Sequence, residues 1–181
     1  MTLPPLDYSF RFLTSILEAQ SEVPQGGLRK LKYVKEKGKI DTKAIRFNNN
    51  NLVTSSGLKS FVDSLLYDPE RLSWLDLSFN MLNAVEEDIT HFKNLIILYL
   101  HGNNIKSFSE VGKLSVLLKL STLTLHGNPL ELENGYRHRV LGHLPQIRSL
   151  DFSGVTKIDK EIVKQWKTKS TKMYKDSFLN T

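Results

Sequence analysis

The sequence predicts an α/β solenoid built of short coils, and three observations lead there. The segments LSWLDLSFNML, LIILYLHGNNI and LSTLTLHGNPL, between Leu72 and Leu130, are three passes through one pattern. In each, apolar residues fall at relative positions 1, 4, 6 and 11, and Asn falls at position 9. The asparagines recur at intervals of 23 residues (Asn80 to Asn103) and 25 (Asn103 to Asn128). A period of roughly 20–29 residues with this spacing is the leucine-rich-repeat pattern. It implies short parallel strands on a concave face, helices and short helical turns on the convex face, about five coils and a C-terminal cap.

Taken in order, the chain divides into an extended N-terminal segment with a basic linker (1–41), the repeats with their cap (42–156), and a cap helix with a lysine-rich tail (157–181). Pro4-Pro5 keeps the start extended, because proline fixes its own φ and restricts its predecessor. Leu6, Tyr8 and Phe10 then alternate with polar residues, a period-two pattern suited to lying along another surface. Leu13, Ile16 and Leu17 stand at helical spacing before Val23-Pro24-Gln25-Gly26-Gly27 interrupts the chain. No repeat is expected in residues 1–28. A lysine-rich stretch follows, anchored by Leu31, Tyr33, Val34 and Ile40.

The first repeat is degenerate: Ile45, Phe47, Asn50 and Leu52 fit, but position 1 is Thr42. Atypical terminal repeats are normal, since an end coil must shield the core. The interval from Asn50 to Asn80 is 30 residues, and the surplus places Leu58, Phe61, Val62, Leu65 and Leu66 on one face of a convex helix that Asp68-Pro69 ends. Phe92 and Leu95, then Phe108, Val111, Leu114 and Leu117, supply the returning sides of the next coils. Tyr136, Val140, Leu141 and Leu144 mark another helical face. Ile147, Leu150 and Phe152 offer a fifth strand at positions 1, 4 and 6, with Val155 where Asn is expected. Asp159 is the predicted cap of a last helix running through Trp166, with Ile162, Val163 and Trp166 turned toward the cap. The tail beyond has too few apolar residues to fold alone.

Within each coil, positions 4 and 6 point inward and position 5 outward, by the period of a strand. Asn50, Asn80, Asn103 and Asn128 are expected at the turns, where a buried side-chain amide must be hydrogen-bonded; a ladder to backbone groups between coils satisfies it. The outward positions 3, 5, 7 and 8 form the concave face. Its candidate partner-binding residues are Arg46, Trp74, Asp76, Phe79, Tyr99, His101, Thr124 and His126. Large aromatics on a solvent face are what interface hot spots look like. Phe79 has two possible placements, on the face or tucked into the coil edge.

Other chemistries fare poorly. Ser78, His101 and Asp76 stand on neighbouring strands, but an open face provides neither an oxyanion hole nor a dry pocket. His101 and His126 share a column without an obvious third metal ligand. No glycine-rich loop follows a strand, so no cofactor is expected. With no Cys, a disulfide framework and Cys-based zinc sites are excluded. The absence of a signal-peptide pattern and of Asn-x-Ser/Thr acceptors leads us to expect an intracellular protein.

The formal net charge of +6 is concentrated at the two ends. Residues 29–43 hold seven Lys/Arg against two acids, and residues 157–175 hold seven Lys against two acids. The body from 44 to 156 carries ten basic and eleven acidic residues. The candidate contacts on these flanks are Lys30, Lys32, Lys35, Lys167, Lys169 and Lys172, which would meet an acidic surface. The basic runs lack interleaved aromatics, so nucleic-acid binding ranks low.

PPLDYSFR, WLDLSFN, LIILYLHGNNI, LTLHGNP, GYR, LDFSGVTK and Trp166-Lys167 together resemble the leucine-rich repeat-containing protein 51 family, from about Pro4 to Lys167. PPLDYSF and LDFSGVTK lie outside the generic repeat and make the resemblance more specific. It implies a non-catalytic, intracellular repeat protein, and the family's occurrence mainly in ciliated organisms implies the cilium. The function expected is therefore an adaptor or structural component of a ciliary axoneme or other microtubule assembly. Tubulin or acidic coiled-coil proteins would meet the basic flanks, and the concave face would grip a protein partner. The alternative is a regulatory subunit that binds an enzyme such as a protein phosphatase.

Overall fold

The structure is a computed structural model that describes residues 3–25, 30–34 and 37–178; in its last helix, the side chains of Lys167 and of residues 169–178 lie outside the description. Strands β1 (Leu6–Asp7), β4 (Ala44–Arg46), β5 (Trp74–Asp76), β6 (Ile97–Tyr99), β7 (Thr122–Thr124) and β8 (Ser149–Leu150) run parallel in one sheet. β9 (Ser153–Gly154) turns back antiparallel on β8 and ends that sheet, which has seven strands among the described residues. A separate hairpin pairs β2 (Lys32–Val34) with β3 (Lys39–Asp41).

Helices α1 (Leu58–Leu65), α2 (Glu87–Thr90), α3 (Phe108–Gly112) and α4 (Tyr136–His143) return the chain along the convex side. The α1 expectation holds: Leu58, Phe61 and Val62 are buried, while the helix itself ends earlier, at Leu65, with Leu66 as its cap. Positions 4 and 6 of the central repeats, Leu75, Leu77, Leu98, Leu100, Leu123 and Leu125, are fully buried. Each such leucine contributes about 1.5–3 kcal/mol relative to exposure.

The asparagine ladder has a direction. Asn103 donates to Leu100 O in its own coil and to Leu77 O in the coil before, and its Oδ1 accepts from Leu82 N of that earlier coil at 3.0 Å. Asn128 repeats this with Leu125 O, Leu100 O and Ile105 N, and Asn80 with Leu77 O, Phe47 O and Leu52 N. Each asparagine therefore closes the turn of the preceding coil as well as its own.

Asn50 does the same for residues in which no repeat was expected. It donates to Tyr8 O and Phe47 O, and it accepts from Arg11 N and Leu13 N. Leu3, Leu6, Tyr8, Arg11 and Leu13 are positions 1, 4, 6, 9 and 11 of a further coil, in which Arg replaces Asn. The N-terminal segment is thus part of the solenoid. The 3-10 helix Ile16–Ser21 supplies its returning side, with Ile16 buried and Leu17 exposed. Thr42 holds Pro4 O at 2.6 Å, and Gln25 N covers Asp7 O at 2.7 Å. Tyr8 stacks on Phe47 with centroids 5.4 Å apart, and Phe61 from α1 packs edge-on against both rings. Burial pushes the Tyr8 phenol up to about 12.

The C-terminal end is corrected in two places. Thr156, rather than Asp159, is the helix cap: its Oγ1 accepts from Asp159 N, while the Asp159 carboxylate accepts from Thr156 N and Oγ1. The helix α5 (Lys157–Phe178) extends past Trp166, and of its three expected cap-facing residues only Val163 packs on the core, with Ile162 and Trp166 exposed. Arg137 from α4 grips Asp159 through Nε at 3.0 Å and Nη2 at 3.2 Å, and holds that carboxyl well below the usual carboxylate range.

Candidate functional site

The sheet aligns one outward residue from each coil. At position 5 the register places Asp7 beside Arg46, Arg46 beside Asp76, Asp76 beside Tyr99 and Tyr99 beside Thr124. At the N-terminal end this column is a charge ladder. Arg46 Nη1 lies 3.1 Å from Asp7 and its Nε 3.9 Å from Asp76. Asp76 is buried and accepts from the Ser78 N–H and hydroxyl. Arg46 and Asp76, proposed from sequence as partner contacts, are first of all committed to each other and to the sheet.

From β5 to β9 the face becomes aromatic. Trp74 meets Tyr99 edge-on at 6.1 Å, and Tyr99 lies within 6.0 Å of His101. The His101 and His126 rings stack at 4.6 Å with 9° between their planes. An edge-on pair such as Trp74–Tyr99 adds about 0.5–1.5 kcal/mol beyond its burial. His101 Nδ1 is 2.7 Å from Thr124 Oγ1, and His126 Nδ1 is 3.2 Å from Asp151 Oδ1. Burial, followed by the neighbouring His126, holds the His101 imidazole below its ordinary pKa, which favours the neutral ring at neutral pH. Thr124 is fully buried beneath that ring and has no surface for a partner; its part is to position His101.

Phe79 takes both placements open to it. Its ring edge packs on His101 at 4.9 Å and covers Gly102, yet the side chain stays half-exposed. A Cβ at Gly102 would sit 2.6 Å from Phe79 Cδ1, so the glycine makes room for the ring as well as supplying a φ of +66°. The Trp74 indole N–H is buried with no acceptor among the described residues.

Phe152 is the residue the repeat pattern misplaced. Position 6 should point inward, but the chain reverses at Asp151-Phe152, both at positive φ, to form the β8–β9 hairpin. Phe152 therefore lies on the concave side, 5.6 Å from Tyr99, 5.8 Å from His101 and 5.7 Å from His126. Val155 at position 9 was the available signal: without Asn, the last coil does not close like the others. Asp151 works beside it, accepting from Leu125 N, His126 N and Tyr136 OH. Burial and then the Asp151 charge push the Tyr136 phenol well above its ordinary value.

The grouping has no hydrolytic order. Ser78 donates its hydroxyl to Asp76, and His101 Nδ1 faces Thr124. No group of three or more His, Cys, Asp or Glu among the described residues is arranged to hold a metal. On the basic flanks, Lys30 and Lys32 are exposed, and Lys32 pairs with Asp41 at 2.9 Å. Lys35 lies outside the described residues, as do the side chains of Lys167, Lys169 and Lys172.

A leucine-rich-repeat family model matches residues 37–177. Leucine-rich repeat-containing protein 51 of Rattus norvegicus is 49% identical over 169 residues, which cover 93% of this chain and 88% of that protein. Its Homo sapiens namesake is 48% identical over the same shares. A probable U2 small nuclear ribonucleoprotein A' of Caenorhabditis elegans is 35% identical over 59% of this chain and 43% of its own. Among solved structures, a chain of the Drosophila melanogaster SNF/U2A' complex aligns with a TM-score of 0.59 and 24% identity, covering 80% of this chain and 75% of that one, a likeness of fold.

Proposed function

The chain belongs to the leucine-rich repeat-containing protein 51 family, and from that premise we propose that it is a non-catalytic adaptor in a ciliary axoneme or other microtubule assembly. The observation that carries the adaptor reading is the continuous aromatic surface of Trp74, Phe79, Tyr99 and Phe152 on the concave face. Two exposed rings, Phe79 and Phe152, beside two partly buried ones, Trp74 and Tyr99, with hydrogen-bonded polar groups around them, match the anatomy of interface hot spots. The face holds protein in this reading, while the exposed lysines of the flanks, Lys30, Lys32, Lys157, Lys160 and Lys164 among them, meet an acidic partner such as tubulin. The ciliary setting is what the resemblance to the family implies.

Co-pelleting with taxol-stabilised microtubules, for the full chain and for a chain ending at residue 167, tests the microtubule part. Salt-sensitive pelleting that weakens on truncation is the expected result. Indifference of both chains to microtubules and to axonemal extract would count against the assembly role.

A further inference from the structure

The phenylalanines whose side chains are described fall into two classes. Phe47, Phe61, Phe92 and Phe108 are buried, and none has a positive φ. Phe10, Phe12, Phe79 and Phe152 are 53–81% exposed, and all four have φ between 52° and 60°. That backbone region disfavours side chains with a Cβ, and for a bulky residue it is an outlier. The repeat shows what the position prefers: the residue corresponding to Phe10 and Phe79 is Asn49 in one coil and Gly102 and Gly127 in others, all at positive φ. Phe152 likewise occupies the second place of a two-residue hairpin turn, where Asp-Gly would be favoured over Asp-Phe. Backbone preference does not account for these rings, Phe79 and Phe152 touch other rings of the concave face while staying more than half exposed, and strain of this kind clusters at ligand clamps and switch regions.

We propose that these strained phenylalanines, Phe79 and Phe152 foremost, are contact residues for a basic amphipathic helix of a partner protein, seated on the concave face. The proposal rests on the adaptor reading and names its partner's chemistry. Charge selects the sign. Outward positions 3, 5, 7 and 8 of the six parallel strands and the closing hairpin carry Asp7, Asp76 and Asp151 against Arg46 and no lysine, a formal excess of negative charge on a chain of net charge +6. The three carboxylates are held in place by donors of the chain itself, so they act on an occupant through their field rather than as free hydrogen-bonding groups. Exposed aromatic faces also attract guanidinium and ammonium groups. Backbone satisfaction selects the helix. The strands spend their backbone groups on each other, so an occupant of the face must satisfy its own N–H and C=O groups, as a helix does.

Two synthetic helical peptides with one leucine face, flanked by arginines in one and by glutamates in the other, are the probes. In a Trp166→Phe background Trp74 is the sole tryptophan, and its emission reports binding. The arginine peptide is expected to bind at least about tenfold more tightly than the glutamate peptide. Phe152→Gly is expected to weaken it about tenfold with the fold retained, because relief of the positive-φ turn and loss of the ring contacts to Tyr99, His101 and His126 oppose each other. Phe79→Asn, which copies Asn49, is expected to weaken binding with the fold retained. Equal or tighter binding of the glutamate peptide, binding of neither, or unchanged binding of the arginine peptide by the Phe152→Gly and Phe79→Asn chains overturns the proposal. Microtubule pelleting is scored separately: pelleting without arginine-peptide binding overturns this inference and leaves the adaptor role standing, and the converse result separates them the other way.

Discussion

The two ends of the solenoid solve the same problem by different means. At the N-terminal end, the first coil lacks the repeat asparagine, yet it closes because Asn50 of the following coil supplies the bonds to Tyr8, Arg11 and Leu13. At the C-terminal end the strand that follows β7, β8, reverses into the β8–β9 hairpin instead of continuing as a regular coil. Inner coils send the position-6 N–H to the next strand, as Leu77 N does to Tyr99 O and Leu100 N to Thr124 O, but Leu125 N ends on the Asp151 carboxylate. Gly102 N likewise reaches His126 O, whereas Gly127 N ends on Glu131. Because each asparagine serves the coil before it, the first coil can dispense with its own, while the β7 coil, whose successor turns back on itself, needs the carboxylates of Asp151 and Glu131 where inner coils use backbone carbonyls.

This asymmetry can be broken most severely at Asp151. Asp151→Ala leaves Leu125 N, His126 N and the Tyr136 hydroxyl without their acceptor, and a loss of about 3–5 kcal/mol is expected in urea unfolding. Asn103→Ala should cost about 1–3 kcal/mol and affect the whole domain, since two coils share that amide. Asn50→Ala removes similar bonds, but its effect should concentrate in the terminal coil. Hydrogen exchange should then accelerate at Tyr8–Ile16 with little change at β6 and β7; uniform acceleration would contradict the end-coil account.

Much of this was legible in the sequence, and the misses share a cause. The leucines at positions 4 and 6 announce themselves because every coil repeats the same inward geometry. The first coil was overlooked because Arg11 stands where Asn is expected and the next asparagine at the repeat position comes 39 residues later, at Asn50. Phe152 fitted the inward slot by spacing alone, but spacing does not register a chain reversal. The burial of Thr124 depends on the His101 ring leaning over it from the neighbouring strand, a contact between coils that a repeat pattern does not encode.

Smaller effects sharpen the comparison through pH. Asp159 is held below the usual carboxylate range by Arg137, so it adds stability above the unfolded value and that contribution is lost as pH falls toward the folded one. Asp159→Asn should lower Tm at pH 7 and flatten its decline below about pH 4. Tyr8 shifts the other way. Its contribution is complete below the unfolded value of 10.0 and disappears as pH rises toward about 12, so Tyr8→Phe should remove part of the alkaline loss of Tm.

The most direct test of the concave face as the grip is quantitative affinity purification from ciliated cells, comparing the wild-type chain with Trp74→Ala/Tyr99→Ala at matched expression and confirmed folding. The expected result is a defined partner set that the double variant loses. An identical partner set on both chains would contradict the account.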